Sequence, residues 1–452
     1  MNSITAASMV TKWLPSVAAG WTVNKLGFVS TVKARLGWKG LKADEYVDDG
    51  FVFLSTPNIK ENEVDFENVN YITEARYLES PEIMLQEGDV LIAKDGSTLG
   101  ITNVVRQLPR PATVNSSIAV IRPRPEILDS VFLAYFLQSD FFQSVIQRMK
   151  GGMGVPHLFQ ADLRKFELLI PPRSLQSKLA DFLDRETARI DELLAKKKRL
   201  LQMIEGSMRA EVTIRVTQGL SPGVPLRQTG EDYLGCIPTH WTTPPLYARY
   251  SVALGKMLDA RQITGAFLLP YLRNVDVQWD RINTDDLPQM DISPEEYDRF
   301  LLKRGDLLVC EGGEVGRCGI WSGDLSPCGY QKALHRMRPL HPDEHVRYMF
   351  YTLAHVAASG YFAASGSPNT ISHLTAEKLR VFRFPKPPLN EQVQISDHLD
   401  AFIASLRQTE RAIQRAVDLL REYRRALISA AVTGQIDVRT YRKEPETVLE
   451  AT

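Results

Sequence analysis

Two textures alternate along the chain. Over the first ~150 residues, short apolar runs such as Val90-Leu91-Ile92-Ala93 are punctuated by Pro, Gly and aromatic residues, which predicts β-strands joined by turns. After Pro171-Pro172 the punctuation stops. A long Pro-free stretch follows, with Leu183, Thr187, Ile190, Leu194, Lys197, Leu201, Ile204 and Met208 alternating by four and three residues. The same change happens again. Leu307-Leu308-Val309-Cys310 lies in a second punctuated region, and Pro387-Pro388 leads into Leu399, Ile403, Leu406, Glu410, Ile413, Val417, Leu420, Arg424 and Leu427. Ser174 and Asn390, just past each Pro pair, are expected as helix N-caps.

Spacing of this kind over three to four heptads predicts a coiled coil. Two amphipathic helices, each packed on its own domain, are the plainer alternative. Matching registers favour the helices packing on each other, with Ile190, Leu194, Leu201 and Ile204 facing Leu406, Ile413, Val417 and Leu420 in an antiparallel seam. Each helix of about 40 residues would span roughly 60 Å.

The two halves are copies. Val155-Pro156-His157-Leu158 matches Ile371-Ser372-His373-Leu374 at an offset of 216 residues. The same offset relates the two Pro pairs, Asp181-Phe182-Leu183-Asp184 to Asp397-His398-Leu399-Asp400, Val216-Thr217 to Val432-Thr433, and Arg122-Pro123 to Arg338-Pro339. It also relates Asn58-Ile59 to Asn274-Val275, and Gly96 and Gly100 to Gly312 and Gly316. Nearer the N-terminus it drifts: Gly88-Asp89-Val90-Leu91 matches Gly305-Asp306-Leu307-Leu308, and Trp21 matches Trp241. So long a period means duplicated domains rather than a solenoid. A duplicated chain with antiparallel helices has a pseudo-two-fold axis, which suits a ligand with two separated, related halves such as duplex DNA.

Composition narrows the class. The chain has 452 residues, with Lys+Arg and Asp+Glu at 54 each. That balance excludes a histone-like polycation or an acidic tail, and the length allows several buried cores. Cys236, Cys310, Cys318 and Cys328 form no C-x-x-C pair and read as reduced thiols rather than a zinc site. The stretch from Tyr348 to Ala376 has no charged residue, but His355, Ser359 and Gly360 interrupt it, so a buried helix is expected and not a membrane span. The first basic residue is Lys12, which argues against a signal peptide; a cytoplasmic protein is expected.

Catalytic motifs are missing. Gly255-Lys256 is followed by Met257, so no P-loop forms, and no Pro-Pro pair carries the amino-methyltransferase signature. Pro342-Asp343 lacks the downstream acid and lysine of a nuclease centre. Gly313, Gly316 and Gly319 read as a tight turn rather than a phosphate loop. His157 and His373 leave two readings open, a buried structural histidine or a loop histidine touching a phosphate or base edge.

The repeated Gly-Asp-[Val/Leu]-Leu strands, the glycine turns, the His-Leu segments and Pro387-Pro388-Leu389-Asn390-Glu391-Gln392 running into the long helix together resemble the DNA-specificity (S) subunit of Type I restriction-modification systems. The resemblance covers nearly the whole chain. Copy one departs from it at Arg173-Ser174-Leu175-Gln176, which weakens one contact at the helix start. It implies an α+β fold of two tandem-duplicated mixed α/β target recognition domains, residues 1–172 and 219–388, separated by two long antiparallel coiled-coil spacer helices, 173–218 and 389–438, with a tail at 439–452. It implies that each domain reads one half of a split asymmetric DNA target. The helices would set the gap and dock two methylation (M) subunits, through which restriction (R) subunits join.

The chain itself would be non-catalytic within an endonuclease and adenine methyltransferase complex. It would bind no cofactor, with S-adenosylmethionine, ATP and Mg²⁺ on partner subunits, and no membrane. A coiled-coil scaffold that reads no DNA is the competing expectation. Residue type and loop placement nominate Lys94, Thr98, Asn115, Lys150 and His157 in copy one. In copy two they nominate Arg273, Glu314, Arg317, Gln331, Lys332, Asn369 and His373. Because DNA contacts need basic surface, zero net charge predicts Lys and Arg segregated toward the groove and acids elsewhere. Lys196-Lys197-Lys198-Arg199 and Arg421, Arg424 and Arg425 carry more charge than a two-helix seam uses. They are either a solvated face or part of the docking platform.

Overall fold

The computed structural model describes residues 19–35, 41–149, 157–258, 265–364 and 373–438. The chain forms two compact units, residues 1–199 with 412–452 and residues 200–411. Helices of nine or more residues are labelled below.

Unit 1 contains β1 (Thr22–Lys25), β2 (Ser30–Ala34), β3 (Phe51–Leu54), β4 (Asn70–Ile72), β5 (Val90–Ala93), β6 (Thr102–Val104), β7 (Ala112–Val114), β8 (Ile118–Pro123) and β9 (Glu167–Ile170). Its labelled helices are α1 (Ser130–Gln138), α2 (Asp140–Met149) and the first part of α3 (Arg173–Gln218). The strands form an antiparallel sheet in the order β2-β8-β5-β6 and a second sheet β4-β3-β7, in which β3 and β7 are parallel; β1 pairs with β9. Unit 2 contains β10 (Leu226–Gln228), β11 (Cys236–Pro238), β12 (Tyr250–Leu254), β13 (Leu268–Leu272), β14 (Val277–Gln278), β15 (Arg281–Ile282), β16 (Gln289–Asp291), β17 (Leu307–Cys310), β18 (Cys318–Ile320), β19 (Gly329–Tyr330) and β20 (Leu334–Pro339). With them are α4 (Val346–Ala358) and the first part of α5 (Leu389–Val432). The plan repeats: β12-β20-β17-β18 is antiparallel, and β16-β13-β19 has β13 parallel to β19. Hairpins β10-β11 and β14-β15 are additional.

The apolar runs in β5 and β17 lack alternation because both of their faces are buried. Val90 and Ile92 join the core against the helices, whereas Leu91 joins the core beneath the three-stranded sheet. In β17, Leu307 and Val309 face the helices while Leu308 and Cys310 face the other way. The Gly-Asp that precedes each strand closes a turn. Gly88 and Gly305 adopt φ of 88° and 89°, a conformation glycine enters without a Cβ penalty. The buried Asp89 carboxylate accepts from Arg122 Nε at 2.6 Å and Nη2 at 2.8 Å and from the Gln86 N–H at 2.8 Å. Asp306 accepts likewise from Arg338 at 2.6 and 2.7 Å and from the Lys303 N–H at 2.7 Å. Two repeated motifs, Gly-Asp and Arg-Pro, are thus the two ends of one ion pair.

The long helices do not begin where serine and asparagine were expected to cap them. α3 starts at Arg173 and α5 at Leu389, so Ser174 and Asn390 sit inside the first turn. The Pro172 carbonyl accepts from the Leu175 and Gln176 N–H groups, and the Pro388 carbonyl from those of Glu391 and Gln392. A proline suits the position before a helix because it has no N–H of its own to satisfy. Gln176 and Gln392, 1% and 0% exposed, then tie each helix to its domain. Gln176 Nε2 donates to the Pro171 and Ile127 carbonyls, both at 2.9 Å, and its Oε1 accepts from the Asp129 N–H at 2.7 Å. Gln392 repeats this with Pro387 at 2.9 Å, Asp343 at 3.1 Å and the His345 N–H at 2.8 Å.

The heptad positions are buried where a sheet domain packs on the helices and half-buried or, at Glu410, exposed elsewhere. Unit 1 takes the start of α3 and the end of α5, and buries Leu183, Ile190, Leu420 and Leu427 in one core; Val417 is buried as well. Unit 2 takes the end of α3 and the start of α5, and buries Val212, Val216, Ile395 and Leu399. Leu194, Leu201, Ile204, Leu406 and Ile413 are half-buried. Arg424 is not surplus surface charge: it is 8% exposed and its fork donates to Asp191 at 2.9 and 3.2 Å. Arg421 and Lys196 are exposed and paired within their own helices to Asp418 and Glu192. The uncharged stretch after Tyr348 holds the buried α4, and among the described residues no helix is long and apolar enough to cross a membrane.

Replacing Gln392 by Leu strands two buried carbonyls and one N–H, each worth about 1–3 kcal/mol when left unpaired. The denaturation midpoint of Gln392→Leu is expected to fall clearly; an unchanged midpoint would show that the clamp carries no weight. Ile190→Ala should cost about 2–5 kcal/mol as a fully buried truncation, and the half-buried Leu201→Ala less.

Candidate nucleic-acid interface

In each unit the candidate side chains gather where the ends of the central strand and of the parallel pair meet. At this edge in unit 1, the Lys94 N–H donates to the Ser117 carbonyl at 2.7 Å and the Asn115 N–H to the Leu54 carbonyl at 2.9 Å. The Leu158 N–H donates to the Lys94 carbonyl at 2.9 Å, which brings His157 beside the turn Gly96–Thr98. Asn115 Oδ1 accepts from the Ser117 N–H at 3.0 Å, and Thr98 Oγ1 donates to the Asp95 carbonyl at 3.4 Å. Gly100 closes the turn at φ 89°, and a Cβ there would lie 2.7 Å from Gln143 Oε1, so only glycine fits.

Neither matched histidine is buried. Leu158 and Leu374 occupy the cores, and in an extended segment their neighbours His157 and His373 must point the other way. His157 Nδ1 is clamped by the Asp95 carboxylate. Lys94 differs from the loop placement expected of a phosphate contact: it is 6% exposed, and burial pushes its ammonium pKa down. Lys150 and Asn369 lie outside the described residues.

Unit 2 builds the same edge from other side chains. The Gln331 N–H donates to the Leu272 carbonyl at 3.0 Å, placing Gln331 where unit 1 has Asn115. Lys332 follows, exposed, its Nζ reaching the weak acceptor Sδ of Met257 at 3.6 Å. Arg273 forks onto Asp276 at 2.9 and 2.8 Å. Asn274 donates to the Gly312 carbonyl at 3.1 Å and, through Oδ1, accepts from Arg317 Nη2 at 3.0 Å. Glu314 accepts from Trp279 Nε1 at 2.5 Å and lies 3.5 Å from Arg317. The Leu374 N–H donates to the Glu311 carbonyl at 2.9 Å, so His373 joins the group.

Acids and bases are therefore interleaved at this edge rather than segregated. The carboxylates of Asp276 and Glu314 hold the arginine forks in place, at the cost of the positive field that segregation would supply. Asp95, Asn274, Lys256 and Trp279 were not nominated from sequence. Asp95 and Asn274 both sit at positions matched between the copies, the signal that could have found them.

Two copies of one two-sheet domain, each run into a long helix and each presenting polar side chains at one edge, define a duplicated subunit with two similar candidate surfaces. A family model described as Type I restriction modification DNA specificity domain matches residues 19–203 and 271–417. The chain belongs to that family and is a specificity subunit of a type I restriction-modification system with two tandem target recognition domains. It is 20% identical over 445 residues to the Type I restriction enzyme EcoKI specificity subunit of Escherichia coli (strain K12), covering 95% of this chain and 92% of that one. It is 19% identical over 442 residues to the StySPI specificity subunit of Salmonella potsdam, with the same coverage. In fold it is similar to a chain from a study of complex assembly and conformational transition of the type I R-M system, at TM-score 0.70 and 18% identity over 93% of this chain and 100% of that one. It is also similar to the HsdS subunit from Thermoanaerobacter tengcongensis, at TM-score 0.50 and 17% identity over 94% and 100%.

Lys332→Ala should weaken duplex binding about equally for all sequences and lower the slope of log affinity against log salt by about 1. Binding isotherms across a salt series check this, and an unchanged slope would remove Lys332 from the phosphate contacts.

Proposed function

We propose that each unit reads one half of a split, asymmetric duplex sequence, and that the long helices set the unread gap and dock two methylation subunits. Restriction subunits join through that complex. In this reading the chain recognises and does not catalyse: S-adenosylmethionine, ATP and Mg²⁺ are bound by the partner subunits, in the cytoplasm.

One observation carries the reading. The sheet plan, the Asp–Arg pair and the glutamine clamp beneath the two edges repeat, while most of the side chains on the edges differ. Asn115 stands against Gln331, Asp95 against Glu311 and Phe159 against Thr375. A domain copied only for structure has no reason to keep its buried clamps and vary one edge. A reader of two unlike half-sites does, because base edges are told apart by the side chains that meet them.

The test is to express the chain with its methylation and restriction subunits and map the methylated sequence genome-wide. Exchanging residues 20–150 for the matching domain of a relative should change one half of that sequence and leave the other. Inserting four residues in each long helix, about 6 Å of rise, should lengthen the unread gap by one or two base pairs at ~3.4 Å each. A sequence altered in both halves by the exchange refutes independent reading, and a constant gap refutes the spacer role.

A further inference from the structure

Phe159 breaks two local rules at once. It is 60% exposed, and it occupies the position before the short helix Gln160–Leu163, where it supplies no side-chain cap. The matched residue of unit 2, Thr375, does what that position asks: its hydroxyl accepts from the Lys378 N–H at 3.4 Å and caps the helix Ala376–Val381. Unit 1 thus lacks the cap and leaves an aromatic ring 60% exposed, its one ring contact among the described residues being with His157. Departures of this kind are expected where function overrides local preference.

Its surroundings say what the ring is for. Phe159 is extended (φ −76°, ψ 143°), and Leu158 beside it is buried, so Phe159 and His157 project from the same face. Their rings meet edge to face, centroids 4.5 Å apart at 63°. His157 is held by Asp95 at the end of β5, and Asp95 is joined to His157 by a backbone bridge as well. The result is an exposed ring braced from behind by a clamped second ring, on the edge where Thr98 and Asn115 lie.

We propose that Phe159 is a wedge that enters a base step of the half-site read by unit 1, with His157 as its backing. This rests on the reading of unit 1 as a DNA-reading domain. Apolar rings inserted at a base step partly unstack it and kink the duplex, and pyrimidine–purine steps yield most easily. Unit 1's half would then be selected partly by deformability at one step. Unit 2's half would not, since Thr375 is committed to its helix.

The complex with its methylation subunits is tested on duplexes carrying the mapped sequence. The bend is read by energy transfer between end labels, and stacking by 2-aminopurine at each adenine of unit 1's half. Wild type should bend the duplex by 20° or more and raise the fluorescence at one step. Phe159→Thr, which restores the cap found in unit 2, should lose both and bind about ten-fold more weakly, whereas Phe159→Leu should keep most of the bend. A wild-type bend and fluorescence unchanged by Phe159→Thr overturn the wedge, as does a straight, fully stacked duplex in the wild-type complex. If wild type methylates no split sequence, the reading of unit 1 falls with it; normal methylation with an indifferent Phe159→Thr removes the wedge alone.

Discussion

Gln176 and Gln392 each satisfy three backbone groups at the point where a sheet domain hands the chain to a long helix. One amide joins the Pro-Pro exit, the first helical turn and the residue that starts α1 or α4. In a buried site those groups have no water to turn to, so the helix leaves its domain in the one direction that pairs them. Nearby contacts were free to change. Glu391 takes the indole N–H of Trp241 and the imidazole of His240, each at 2.9 Å, whereas unit 1 has Leu175 there; the ring contact itself is kept, Trp21 packing edge to face on Phe132 as Trp241 does on Tyr348.

The same division of labour runs through the domains. Buried polar ties repeat between the units: the ion pairs of Asp89 with Arg122 and Asp306 with Arg338 between strands, and the helix-to-helix hydrogen bonds in which the Tyr135 and Tyr351 hydroxyls donate to Asp184 and Asp400 at 2.7 and 2.5 Å. The edges repeat in backbone and in the histidine pair, while most of their other side chains differ. An edge built from strand ends can change its side chains without disturbing a ladder, which lets a duplicated scaffold carry two specificities. Charge follows the same logic. With each arginine fork of unit 2's edge set by an asparagine or a carboxylate, geometry is favoured over bulk attraction, in keeping with a chain of zero net charge.

Along the helices, burial tracks what lies on the other side. Where a sheet domain also covers the seam, apolar positions are buried and even Arg424 is enclosed, paired with Asp191. At the heptad positions between, leucine and isoleucine are half-buried. Such a seam keeps register through periodicity rather than through deep burial.

Duplication, the two textures and the heptads were legible in the sequence because each is a spacing, and spacing survives without coordinates. So was the family, since its motifs are local. The strand runs could be found but not their partners: that Gly-Asp and Arg-Pro belong to one ion pair depends on β5 lying beside β8, which no local pattern states. The helix starts were misplaced by two residues because serine and asparagine advertise caps, while the actual tie is a glutamine whose partners lie 47 to 49 residues away in sequence in unit 1. Arg424 read as surplus charge until Asp191 stood opposite it, and His157 could not be assigned inward or outward until Leu158 was seen to take the core. Periodicity and motif are properties of the chain; which side chain meets which is decided only when distant segments compete for the same buried space.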